Sequence, residues 1–316
     1  MNKLMYSAPL YFVAFLPMII MLYQLCPQKF RKFVLLLANY AFFFIWSKFF
    51  LVYQVITMLI TYVSAKVIDH TANKKTKKIS LFIAIVINLG VLVVLKYTNF
   101  FGENIFAIFH QPFTPVRLIA PIGISYYTLQ MISYLMDTSS GKIHSDHSIV
   151  DFAVYASFFP TLIQGPITRF NEIKDSIHAG NPITYQNLKF GSQRILFGLM
   201  KKMIIADRLD PAVSKIFTSY TQDGLFSLIG AVLCTIQLYM DFSGIVDICL
   251  GSAEILGIKL PENFRQPFFA ENASDFWRRW HITLGTFLRD YVFYPISLAK
   301  PIRRLSKFFS KHFGKA

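Results

Sequence analysis

The sequence predicts an all-α, polytopic, multi-helix membrane protein with broken or re-entrant segments, and three observations carry that prediction. Hydrophobic residues fill 54% of the 316 positions, charged residues only 16%, and 33 positions are phenylalanine. Soluble domains average roughly 25% charged residues, so this chain holds too few polar side chains to coat a water-facing surface. The apolar residues gather into runs near the roughly 20 residues that a helix needs to cross the hydrocarbon. The net charge of +15 is concentrated between those runs, as the positive-inside bias requires. High hydrophobicity excludes a disordered chain. Nucleic-acid binding is disfavoured, because no aromatic-and-basic platform or recognition helix accompanies the charge.

The elements follow in order. Lys3 precedes an uncharged stretch reaching Gln28, too long for a signal-peptide core and lacking a small-residue cleavage site. It reads as a retained first span over 4–25. Further spans are expected at 33–47, 49–65, 79–95 and 118–136, with loops at 26–32, 48, 66–78 and 96–117. Loops 26–32 (Lys29, Arg31, Lys32) and 66–78 (Lys66, Lys74, Lys75, Lys77, Lys78) are strongly basic. Alternation therefore puts both in the cytoplasm and the N-terminus outside.

Residues 152–168 are uncharged yet contain Pro160, Gly165 and Pro166. Broken backbone at membrane depth needs cover from protein or a water-filled cavity. Residues 169–210 mix charge with apolar segments, as a re-entrant region or a loop of amphipathic helices would. A sixth span at 224–240 runs into Asp241 and Asp247. No repeat, low-complexity tract or linker divides the chain, so residues 1–316 are expected to form one membrane-embedded domain. The tail, with Lys300, Arg303, Arg304, Lys307, Lys311 and Lys315 opposite Ile302, Leu305, Phe308, Phe309 and Phe313, reads as an interfacial amphipathic helix.

Ionisable residues in apolar segments are expensive, which makes each a candidate site. One cluster is Asp241, Phe242, Ser243 and Gly244, with Asp247 following; it reads either as a cavity wall or as a helix end at which Asp241 caps the next turn. Gln164, Gly165 and Pro166 are expected to wall the broken segment. The other cluster is Trp277-Arg278-Arg279-Trp280-His281. Asn272 and Asp275 have capping spacing upstream, and a continuous helix would put Trp277, His281, Gly285 and Leu288 on one face. A neutral histidine serves as general base near neutral pH, and Gly285 would leave space beside it. Arg278 and Arg279 suit a phosphate or carboxylate. The alternative is an interfacial histidine among belt tryptophans. His144 and His147 beside Asp146 read as a solvated loop, and no metal site is implied there or at Cys26, Cys234 and Cys249.

The strings WRRWHITLGTFLRDYVFYP, MDFSG, PIGISYYTLQ and FFPTLIQGPITRF resemble the membrane-bound O-acyltransferase family, nearest its alginate O-acetyltransferase branch. The resemblance runs from the first span to about residue 299. It implies a multi-helix enzyme around a central tunnel in the cell membrane, with no bound cofactor. Such an enzyme takes an acyl group, often from acetyl-CoA, on the cytoplasmic side and passes it towards a hydroxyl of an extracytoplasmic polysaccharide. A separate extracytoplasmic acyltransferase commonly completes the transfer, and membrane lipid is the other partner. The family histidine falls on His281. The resemblance also implies later spans with a second functional histidine, so the chain reads as a C-terminally truncated member. Three other readings stay open: D-alanyl transfer to teichoic acid by a sister branch, a transporter or flippase of an envelope precursor, and an inactive member.

Overall fold

A computed structural model describes residues 6–299, apart from 119, 122, 146 and 220–223, together with 302–304. Among these residues the regular structure is helical, with one isolated β-bridge. The all-α membrane class follows: three described helices are long and apolar enough to cross a membrane. The chain divides into two compact units, Met1–Pro261 and Glu262–Ala316.

In the first unit α1 (Tyr11–Leu25) and α2 (Arg31–Ser47) form an antiparallel pair. Arg31 is the clasp between them: its guanidinium donates to the carbonyls of Tyr23 at 3.1 Å, Cys26 at 3.2 Å and Gly180 at 2.9 Å. The last carbonyls of a helix have no partner inside it, and this buried cation supplies one. Next come α3 (Lys48–His70) and α4 (Lys74–Ile108), both longer than the apolar runs predicted. The expected loop 66–78 shrinks to 71–73, because Asn73 caps α4 by accepting from the Lys75 and Thr76 amides at 2.9 and 3.4 Å. Lysines at helix ends can keep their charge in the interface while their stems stay on the helix. Lys66 does so, its ammonium 4.9 Å from the centre of the Tyr62 ring.

The expected loop 96–117 is helical as far as Ile108, and the chain then doubles back. Asn99 holds the return strand, donating to the Val116 carbonyl at 3.0 Å and accepting from its amide at 2.9 Å. The span predicted from residue 118 starts six residues later, as α5 (Ile124–Ser139). Gly123 sets that start. Its φ is +77°, and a Cβ there would lie 2.0 Å from the Leu162 carbonyl oxygen, so both conformation and space demand glycine.

The break predicted at Pro160 is present. Between α6 (Ile149–Ser157) and the one-turn α7 (Phe159–Leu162), Phe158 takes an extended ψ of 108°. All of α7 is buried, so protein covers the broken backbone. Asn39 receives the Phe159 amide at 2.9 Å and donates to the Val154 carbonyl at 3.2 Å. Tyr11, Phe15, Phe42 and Phe159 pack against one another, with ring centroids 5.2–6.4 Å apart. The loop carrying His147 is not simply solvated. Its Nδ1 donates to the His144 carbonyl at 3.3 Å and its Nε2 accepts from the Tyr134 hydroxyl at 3.0 Å. The ring sits 4.3 Å from that of Phe170.

After α8 (Phe170–Ala179), residues 169–210 resolve into helix: α9 runs over 185–219, with a wide π-type turn at Met200–Ala206. It packs lengthwise on α10 (Gly224–Ile255). Two glycine pairs let the backbones meet. A Cβ on Gly191 would stand 2.6 Å from the Gly251 carbonyl oxygen, and one on Gly198 2.5 Å from that of Gly244. The predicted sixth span, ending at 240, is therefore one part of a 32-residue helix. The second unit is helical at both ends of the WRRWH string and is described with the site. Of the tail, the amphipathic expectation falls outside the described residues except at 302–304.

Candidate active site

The second unit contains α11 (Ala273–Arg279) and then helix from Ile282 to Ser297, here α12. The predicted cap is real: Asn272 Oδ1 accepts from the Asp275 amide at 2.9 Å. The predicted continuous helix is not. Trp280 is extended, at φ −101° and ψ 126°, and His281 is left-handed, at φ 46° and ψ 51°. Trp277, His281, Gly285 and Leu288 therefore do not form one helical face.

The cause is a strand-like segment 18 residues upstream. Phe264 bridges Trp280 in antiparallel fashion, the Arg265 amide donates to the Arg279 carbonyl at 3.0 Å, and the Ile282 amide donates to the Asn263 carbonyl at 3.0 Å. Fully buried Asn263 then accepts three hydrogen bonds at Oδ1: from the Thr283 amide at 3.1 Å, the Thr283 hydroxyl at 2.9 Å and His281 Nδ1 at 3.1 Å. A left-handed non-glycine residue costs roughly 1–2 kcal/mol. Hydrogen bonds at about 0.5–1.5 kcal/mol each outweigh that here.

This arrangement decides the tautomer. A backbone amide can only donate, so the Asn263 atom facing Thr283 N is the oxygen, and the same oxygen faces His281 Nδ1. Nδ1 must carry the hydrogen, and the lone pair of the neutral ring lies on Nε2. Burial disfavours the imidazolium and pushes the His281 pKa down to about 4. The ring is thus neutral across the physiological range.

The neighbours divide by role. Trp280 is locked, its ring stacked on Phe276 at 5.6 Å and met edge-on by Phe264 at 5.2 Å. Trp277 is 65% exposed. Arg279 is held by Asp275, Nε to Oδ2 2.8 Å, whereas Arg278 is exposed. Of the two arginines flanking the histidine, Arg278 is the one open to an anionic group. Gly285 faces open volume: a Cβ there would meet only the Trp277 carbonyl oxygen, at 3.9 Å.

The remaining predicted residues belong to the first unit. Asp241 caps nothing, because α10 continues through it. Lys202 from the wide turn of α9 lies 2.6 Å from its Oδ1 and 2.7 Å from Asp207. One turn and a half on, buried Asp247 is gripped by Arg194 at 2.6 Å and Lys201 at 2.7 Å. Ser243 is buried beside them. Gln164 and Pro166 lie in the segment after α7; the Gln164 Oε1 is a buried acceptor without a hydrogen-bond partner among the described residues. Sequence reading missed Asn263, whose pairing with residues 18 and 20 positions away leaves no local signal. It also missed Arg194, Lys201 and Lys202, although two acids in an apolar helix call for basic partners.

Comparison with known proteins closes the question of family. Residues 124–311 match the membrane-bound O-acyltransferase family. The chain belongs to that family. A probable alginate O-acetylase of Pseudomonas aeruginosa is 34% identical over 297 residues, covering 92% of this chain and 56% of the relative. A peptidoglycan O-acetyltransferase of Helicobacter pylori is 34% identical over 333 residues, covering 93% and 62%. A teichoic acid D-alanyltransferase of Bacillus subtilis is 33% identical over 187 residues, covering 58% and 47%. This O-acyltransferase-family chain thus spans about half the length of the curated relatives it matches, and WRRWH and MDFSG both lie inside the matched family region.

Proposed function

We propose that the protein moves an acyl group, acetyl in the first instance, from a cytoplasmic donor such as acetyl-CoA towards hydroxyls of an extracytoplasmic or exported polysaccharide. His281 is the catalytic base in this reading. The observation that carries it is the single oxygen of Asn263, which ties down Nδ1–H and leaves the basic lone pair on Nε2. In the reaction an acceptor oxygen attacks the donor carbonyl while Nε2 takes its proton; the carbonyl collapses, the carbon–sulfur bond of a thioester breaks, and the thiolate leaves with that proton. Arg278 would hold an anionic part of the donor or acceptor, and Trp277 with Gly285 would border the approach. Asp241, Ser243, Gln164 and Pro166 are assigned to the polar wall of the acyl path, with both units serving one membrane-embedded domain that crosses the cytoplasmic membrane several times. An extracytoplasmic partner acyltransferase would take the acyl group onward, as the resemblance to the alginate branch implies.

The Bacillus relative keeps D-alanyl transfer as a second reading, with a carrier-borne donor. The alginate and peptidoglycan relatives cover 92–93% of the chain against 58%, which favours acetyl. The test is transfer from radiolabelled acetyl-CoA by membranes expressing the protein at full length. Label retained by the protein or passed to polysaccharide supports the reading; label taken only from a D-alanyl carrier supports the second, and transfer from neither overturns both.

A further inference from the structure

We propose that the cleft between α1 and α2 is a binding site for an anionic glycerophospholipid, one acyl chain lying in the cleft and the phosphate beside Lys29. The cleft has a volume of about 610 Å³, within the range of roughly 300–1,000 Å³ typical of ligand sites. Phe15, Ile19 and Ala38 form its floor, and Met18, Leu22 and Leu37 its open walls. Cys26 closes one end. The lining is almost entirely apolar, which suits an occupant apolar over the same length.

The cleft has the dimensions of an acyl chain. From Phe15 to Cys26 the cleft follows α1 for about 16 Å, at about 1.5 Å per residue. A volume of about 610 Å³ over that length leaves a cross-section of about 40 Å². The cleft exists because α2 presents Ala38 and Ala41 where larger residues would fill it.

Charge specifies the headgroup. The cleft ends under the loop bearing Lys29, Arg31 and Lys32, in which no acid occurs. Arg31 is buried on three carbonyls, and Lys32 reaches Asp151 at 3.0 Å. Lys29 is exposed, with its ammonium over the Phe30 ring, three residues after Cys26 in the chain. A basic residue at the surface attracts anionic headgroups.

Native mass spectrometry of the detergent-purified chain, titrated with phosphatidylglycerol and phosphatidylcholine of identical tails, tests the assignment. Phosphatidylglycerol should give a one-to-one adduct roughly fivefold tighter than phosphatidylcholine, the size of effect expected of one lysine near the interface. Lys29→Gln should bring phosphatidylglycerol down to the phosphatidylcholine level, and Ala41→Phe, which fills the cleft from an exposed position, should remove both adducts. Where Ala41→Phe fails to fold, Ala41→Leu and a lipid with a photoreactive tail replace it: crosslinks should fall within residues 15–26 and 34–41. Equal binding of the two lipids, an adduct undiminished in the filled variant, crosslinks elsewhere, or a dimer that excludes lipid would each overturn the proposal.

Discussion

At the scale of the residue, His281 is defined by three donors converging on one oxygen. Its pKa near 4 gives the sign of the pH dependence. Above that value the ring is neutral and Nε2 can accept a proton; below it the base is lost. The acid limb of the kcat/KM profile for acyl transfer should therefore fall well below the ordinary histidine value of about 6.5. His281→Ala should lower transfer by roughly 10²–10⁴-fold, the usual cost of a general base, with membrane insertion retained; a threefold drop would count against the assignment. Asn263→Asp should move the acid limb up in pH, because a carboxylate beside Nδ1 stabilises the imidazolium. An acid limb that stays put in Asn263→Asp would mean that Asn263 shapes the turn without governing the titrating ring.

At the scale of the element, the α9–α10 hairpin tolerates little change where its glycines meet. Its glycine pairs bring backbone to within reach of a carbonyl oxygen, so Gly198→Ala must part the helices. Overpacking of this kind costs about 1–3 kcal/mol, visible as a lowered midpoint in thermal unfolding of the detergent-solubilised protein. The same hairpin holds Asp247 between Arg194 and Lys201. Removing one member of a buried ion pair costs about 3–5 kcal/mol because a buried charge loses its partner. Asp247→Ala should accordingly reduce folded protein more than Asp241→Asn, whose carboxylate is 38% exposed. If Asp241→Asn leaves both transfer and expression at wild-type levels, its assignment to the acyl path is wrong.

At the scale of the whole molecule, the proposed orientation rests on the basic turns. Arg31 ties the α1–α2 turn to Gly180, and Ser145 ties the segment after α5 to Asp69 at the end of α3, its amide and hydroxyl donating at 2.7 and 3.0 Å. Both basic loops are thus tied to Gly180 and Ser145 of the first unit, and the proposed orientation puts these loops in the cytoplasm. Lys75→Cys, exposed just inside α4, should react with an impermeant thiol reagent in inverted vesicles and not in intact cells. Labelling in intact cells would reverse the orientation.

The sequence by itself determined the class, the order of the helices and the residues at which chemistry is expected. Hydrophobic runs and the charge between them are local properties of the chain, so they survive any packing. The cap at Asn272 and the break near Pro160 were legible for the same reason, since each depends on its own few residues. Tertiary structure decided what depends on a distant partner. The start of α5 moved to Ile124 because Gly123 packs against the Leu162 carbonyl, far along the chain. The helix expected through WRRWH broke because Asn263 and Arg265 hydrogen-bond Arg279, His281, Ile282 and Thr283 in place of a helical turn. Asp241, read as a possible cap, became the mid-helix partner of Lys202 once α9 packed against it. Periodicity sees neighbours three or four residues apart; the tautomer of His281 is set across eighteen.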